Sequence, residues 1–184
     1  MYAVNDNFAH MGGIAGLSDG KVVFVASSVS SMNSKANKEK EQVFLQIFDP
    51  TQDLSKQSTY IMKGTRTGIA GPNGNEKETD YGVKWLTDIG KDWRIENPQV
   101  VSNGDDKIVV FYEKYYEKNY DNVFKGVYYK VLDKNGKVLT KTTLYSKDAN
   151  LNPSRMPVYS DGTIYWVGNN EKDSKIHVYQ MKLD

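Results

Sequence analysis

Polar and apolar positions along this 184-residue chain fall into a phrase that recurs three times: a polar turn, then a run of β-branched, aliphatic and aromatic residues. Ser18-Asp19-Gly20 precedes Lys21 to Val25, Asp105-Asp106 precedes Lys107 to Tyr112, and Ser160-Asp161-Gly162 precedes Thr163 to Val167. Asp and Gly accept the tight or positive-φ geometry of a short turn, and the residues that follow fit a pleated, buried sheet, so each phrase predicts a hairpin turn feeding a strand. Upstream, "GGIAGL", "NPQVVS" and "MPVYS" read as short preceding strands opened by Gly or Pro. Downstream, after a polar loop, come "VFLQIFD" (43–49), "VYYKVLD" (127–133) and "VYQMKLD" (178–184), three matching strands that end in aspartate.

The repeat thus spans at least three strands. In the middle copy the tight-turn sequence "DKNGK" leads to a β-rich "VLTKTTLY" (138–145), and "STYIMK" (58–63) holds the equivalent fourth place in the first copy. Four short antiparallel strands repeated at roughly fifty residues are the sequence form of a propeller blade. The pattern resembles bacterial β-propeller repeats, above all in "GVKWLTDIG" followed by "ENPQVVSNGDDKIVVFYE", where an outer strand hands over to the inner strand of the next blade. The resemblance covers most of the chain but lacks the Trp-Asp pair, kelch double glycine or full Asp-box spacing that would name a subfamily. It implies one all-β domain over 1–184, with blades near 10–63, 95–145 and 155–184. Residues 64–94 are then surplus, either an insertion with an extra hairpin or a degenerate fourth blade, since "GIAGPNGN" (68–75) echoes "GIAGLSDG" (13–20).

Three or four blades pose a closure problem, because each blade must cover its neighbour's apolar face. Either "MYAV" at residues 1–4 completes the last blade and closes a small ring, or another chain, a copy or a different one, completes a larger propeller. The second is the favoured expectation, because open blade ends and unpaired strand edges need such cover.

Composition narrows the function classes. Lysine plus arginine number 24 against 23 aspartate plus glutamate, so the overall charge gives no reason to expect nucleic acid or an acidic membrane as partner. Cysteine is absent and only His10 and His177 are present, which leaves thiolate chemistry unsupplied and histidine-rich zinc or triad chemistry poorly supplied. No metal and no cofactor are expected. "MYAVNDNFAHMGG" has no basic segment followed by an apolar run, so neither a signal peptide nor a membrane anchor is predicted there. Analogy with bacterial propellers favours an extracellular or cell-surface setting.

Propeller resemblance also says where to look for function. Loops joining second to third strands, and those joining successive blades, share one face, which places residues 26–42, 113–125, 168–175, 86–97 and 146–156 together. In "YEKYYEKNYDNVF", Tyr115, Tyr116 and Tyr120 stand among charges and asparagine, a composition suited to sugar rings or to a protein partner, although they could equally extend a long hairpin and pack on its stem. Trp93 and Arg94 in "DIGKDWRIEN" offer a stacking platform beside a cationic fork, and Arg155 in "NPSRMP" occupies the corresponding place one blade on. Arginine here could grip a carboxylate or sulfate on a ligand, or staple the structure through an acid such as Glu96. Asp92, Glu96, Glu113 and Asp148 are the acids expected on this face, and hydrolysis would require two of them across a cleft, one with a raised pKa. "DKNGKVLT" lacks the acid that a calcium loop needs and "GPNGN" lacks the lysine of a phosphate loop, so both read as turns. His10 reads as a loop residue, His177 as a strand residue, and 27–42 as a solvated hairpin loop. The expected function is therefore a non-catalytic binding or assembly module for a glycan or protein partner, with a glycoside hydrolase or lyase and a purely structural subunit as the alternatives.

Overall fold

Hairpin turns form where the recurring phrase predicts them, and among the described residues all the regular secondary structure is β. The computed structural model describes residues 10–28, 41–53, 64–65, 78–79, 84–118 and 121–183. Thirteen strands follow in order: β1 His10–Gly16, β2 Val22–Ser28, β3 Gln42–Phe48, β4 Gly64–Thr65, β5 Glu78–Thr79, β6 Lys84–Trp85, β7 Trp93–Ser102, β8 Lys107–Lys118, β9 Asp121–Asp133, β10 Thr143–Ser146, β11 Val158–Ser160, β12 Thr163–Asn169 and β13 Ile176–Lys182. Three antiparallel sheets result, ordered β1-β2-β3-β6 (sheet I), β7-β8-β9-β10 (sheet II) and β11-β12-β13 (sheet III), with β4 and β5 paired separately. Among the described residues no helix is long and apolar enough to cross a membrane.

Each turn shows the chemistry its residues demand. Asp161 (φ 48°) and Gly162 (φ 77°) form a two-residue turn between the paired Ser160 and Thr163, the double positive-φ geometry whose twist matches that of the flanking strands. In the middle copy, Asn103 Oδ1 accepts the backbone N–H groups of Asp105, Asp106 and Lys107. Asp133 does the same for Asn135 and Lys137, so "DKNGK" is a turn stabilised by its own carboxylate.

The sheets lie in series and pack face to face. From sheet I, Leu17, Val23, Val25, Val43, Leu45, Ile47 and Leu86 meet Ile95, Val100, Ile108, Val110, Tyr112 and Leu132 of sheet II. The opposite face of sheet II, with Val101, Val109, Phe111, Val127 and Val131, packs against Ala149, Leu151, Ile164 and Trp166. A continuous apolar run such as "KIVVFY" is what a strand buried on both faces requires. The first strands of successive sheets are neighbours, β1 beside β7 and β7 beside β11.

Several details differ from the sequence expectation. The fourth strand of sheet I is Lys84–Trp85, whose Trp85 and Lys84 pair with Phe44 and Leu45; residues 58–63 lie outside the described residues, as does "MYAV" at 1–4. Gln42 fixes this late arrival, because its Oε1 accepts the Thr87 hydroxyl and the Ile89 N–H while its Nε2 donates to the Ile89 carbonyl. The fourth strand of sheet II is confined to Thr143–Ser146, with Val138 making only an isolated bridge to Leu132. Ser27, Ser28 and Gln42, expected in a solvated loop, are buried strand residues.

Gly12 marks the closest approach of sheets I and II, where β1 carries a bulge. A Cβ there would fall on the carbonyl oxygens of both Pro98 and Val25, neither the end of a flexible side chain. Gly12→Ala should therefore destabilise the protein by about 1–3 kcal/mol in urea denaturation. Gly16→Ala, with open space around its position, should stay within about 0.5 kcal/mol of wild type.

Candidate functional site

Between β1, β7 and the 152–156 turn lies a cleft of about 320 Å³. Its walls come from the start of β1 (His10, Met11, Gly12), Ser27 and Glu41 at the facing ends of β2 and β3, Arg94 to Gln99 of β7, and Pro153 and Met156. These positions fall in or beside the second-to-third-strand and inter-sheet segments singled out from sequence, because hairpins and crossings at this end all open the same way.

Two ion pairs lie in the walls. Glu41 accepts from His10 Nε2 at 3.1 Å and from the Ser27 hydroxyl at 3.2 Å. Arg94 meets Glu96 at 2.8 Å, two residues along the same strand. At the β7 bulge Asn97 takes a positive φ of 50°, and its Nδ2 donates to Glu113 Oε2 at 2.8 Å.

Behind the wall, Glu113 is 1% exposed yet fully engaged. One oxygen accepts the Leu151 N–H at 2.6 Å, the other the Asn97 amide and the Tyr115 hydroxyl, the latter at 2.9 Å. Burial pushes its carboxyl above the ordinary glutamate range; the bonds from Leu151, Tyr115 and Asn97 oppose that rise and the charge of neighbouring Glu96 adds to it. Burial also raises the Tyr115 phenol, reinforced by the Glu113 charge beside it. Gln99, likewise 1% exposed, donates Nε2 to the Asn152 carbonyl at 2.6 Å, and its Oε1 has no hydrogen-bond partner. Leaving such an acceptor buried and unpaired costs about 1–3 kcal/mol.

Of the aromatic and arginine residues nominated from sequence, Arg94 alone among the described ones lines the cleft. Tyr115 and Tyr116 are strand residues of β8 rather than loop residues, since the hairpin runs on to Lys118 and resumes at Asp121; Tyr120 lies outside the described residues. The period of two then parts the set, with Trp93 and Tyr116 cross-strand partners on one face of sheet II and Arg94 and Tyr115 on the other. Trp93 meets the Tyr116 ring edge-on at 5.2 Å and carries the Lys114 ammonium 4.2 Å from its ring centre. Tyr115 packs on Phe124. Arg155 is exposed in the turn, its backbone N–H donating to the Asn152 carbonyl. His10 opens β1 instead of lying in a loop, while His177 is in β13 and meets Asp173 at 3.0 Å.

Among the four acids nominated, Glu96 lines the cleft, Glu113 sits behind it, and Asp148 pairs with Lys172 at 2.7 Å. Glu96 and Glu113 are cross-strand partners on one face, not acids opposed across a cleft, and the one with the raised pKa is shut away from it. Glu41, Asn97 and Gln99 were not anticipated as site residues. A lone polar residue inside the apolar run "NPQVV" was the available signal for Gln99. Comparison with protein-family models, curated proteins and solved structures gives no match for this chain.

Because the folded-state pKa of Glu113 lies above its unfolded value, its contribution to stability is complete below the unfolded value and is lost as pH rises through the folded one. Thermal unfolding of wild type should therefore lose stability relative to Glu113→Gln as pH climbs from the ordinary glutamate range toward neutrality. Glu113→Ala strands the Leu151, Asn97 and Tyr115 donors and should cost about 2–4 kcal/mol at the acidic end of that span, the cost shrinking as pH rises.

Proposed function

We propose that the chain is a non-catalytic assembly and binding module built of β-propeller blades, whose third sheet is covered by a sheet of another polypeptide. The observation that carries this reading is the outer face of sheet III. Val158 is 61% exposed, Val167 38%, Ile176 76% and Val178 72%. Val167 and Val178 are direct cross-strand partners, so these side chains form one apolar surface across all three strands. Scattered exposed apolar residues are ordinary, but a contiguous set on one face marks an interaction surface.

Supporting features lie in the rest of the fold. Sheets I and II bury one another, as do sheets II and III, and among the described residues sheet III has a neighbour on one side only. It has three described strands where its companions have four, with β13 at its edge among them. The serial packing and the adjacency of first strands fit blades arranged about an axis. A protein partner fits better than a glycan: the Trp93 ring is already engaged by Lys114 and Tyr116, and the Tyr115 hydroxyl by Glu113. The hydrolase alternative is weaker, since Glu41 and Glu96, two acids that line the cleft, are each already engaged, Glu41 by His10 and Ser27 and Glu96 by Arg94.

Light scattering coupled to gel filtration tests the assembly directly. If copies complete one another, wild type should show a concentration-dependent mass above that of the single chain, and Ile176→Glu with Val178→Glu should remove it while leaving the thermal midpoint nearly unchanged. If a different chain is the partner, wild type should be monomeric but bind the apolar dye ANS more strongly than the double variant. A monomer that binds no more dye than the variant would overturn the reading.

A further inference from the structure

We propose that the cleft between β1, β7 and the 152–156 turn receives one basic side chain, arginine or lysine, from a polypeptide. The hydrogen-bonding chemistry of the walls is weighted toward acceptors. Glu41 and Glu96 supply two carboxylates against one permanent cation, Arg94, which is itself half exposed beside Glu96. Gln99 stands in the same wall, its Nε2 committed to the Asn152 carbonyl and its Oε1 buried without a partner. Flipping the amide would set oxygen against oxygen, so the unpartnered atom stays Oε1. An occupant that neutralises the excess carboxylate must bring N–H donors and positive charge.

The remaining walls select the rest of the occupant. Met11, Ile95 and Met156 line the cleft with apolar, partly flexible surface, suited to the methylene stem of a long basic side chain. Among the described residues no Phe, Tyr or Trp lines it, and these are the rings on which a sugar ordinarily stacks. At about 320 Å³ the space lies at the low end for ligand sites and matches a single side chain with its adjoining backbone. Every wall belongs to this one chain, so the cleft does not depend on what covers sheet III.

Nuclear magnetic resonance titration of the isotope-labelled full chain tests the assignment, with N-acetyl-arginine methylamide and its lysine counterpart as probes. N-acetyl-glutamate methylamide and methyl glucoside serve as controls. A basic probe should bind with a dissociation constant on the order of 1 mM and shift the side-chain amide signal of Gln99. Glu41→Gln and Glu96→Gln should each weaken binding by about tenfold, with the amide fingerprint confirming that each variant is folded. The Ile176→Glu and Val178→Glu pair should leave binding unchanged, which separates this site from the proposed assembly face. Failure of both basic probes to bind, equal binding of the glutamate or glucoside control, or insensitivity to both carboxamide substitutions would overturn the proposal.

Discussion

Ile108, Val110 and Tyr112 leave β8 toward sheet I, while Val109 and Phe111 leave it toward sheet III, and none of the five is more than 1% exposed. A strand with two apolar faces can be stable only between two other layers, so the middle sheet dictates that the fold be at least three sheets deep. Burial of that order, at about 1.5–3 kcal/mol for each large side chain, outweighs any single polar contact in the structure. The same requirement passes outward: each sheet recruited to cover the middle one brings a second face of its own. Sheet I meets it in part, for Phe44 is 3% exposed and packs against Phe24 and Trp85. Sheet III does not meet it among the described residues, and its outer valines and isoleucine stand in water.

Polar stitching between layers occurs at both ends of the strand order. Glu113 and Gln99 of sheet II reach the backbone of Leu151 and Asn152, while Lys84 and Lys130 tie sheets I and II through the carbonyls of Gly136 and Leu86. Apolar packing sets how far apart the sheets lie but not how they slide; a carboxylate that accepts three directed bonds does fix a register. The cleft follows from this arrangement. Backbone meets backbone at Gly12, and beside it polar side chains of sheets I and II border a common space with the 152–156 turn.

The three turn-and-strand phrases made the β content, the hairpins and the serial sheets legible in sequence, because turn geometry and two-residue periodicity are local properties. "KIVVFY" announced a strand covered on both sides. What stayed hidden was non-local. Lys84–Trp85 takes the fourth place in sheet I through Gln42, some forty residues earlier, and no short window contains that pairing. The aromatic candidates were displaced for a similar reason. "YEKYYEKNYDNVF" has the polarity of a loop, yet each residue from Tyr112 to Lys118 still finds a cross-strand partner, Tyr115 with Phe124 and Tyr116 with Val123, so the hairpin simply continues. Once it does, alternation sends Tyr115 and Tyr116 to opposite faces and no common surface can hold both.

Gln99 shows how the same pattern can be read more finely. In "NPQVV" a hydrophobic residue at its position would complete the core-facing run at no cost in hydrogen bonding, whereas glutamine brings one bond to Asn152 and one orphaned acceptor. Stability alone therefore argues against it, since the bond to a backbone carbonyl contributes only about 1 kcal/mol and the unpaired oxygen offsets it. A polar group kept where packing would exclude it points to a role outside folding. Gln99 stands in the wall of the cleft that holds Glu41 and Glu96, so the basic occupant proposed there would bring its donors to the wall behind which that oxygen lies unpaired.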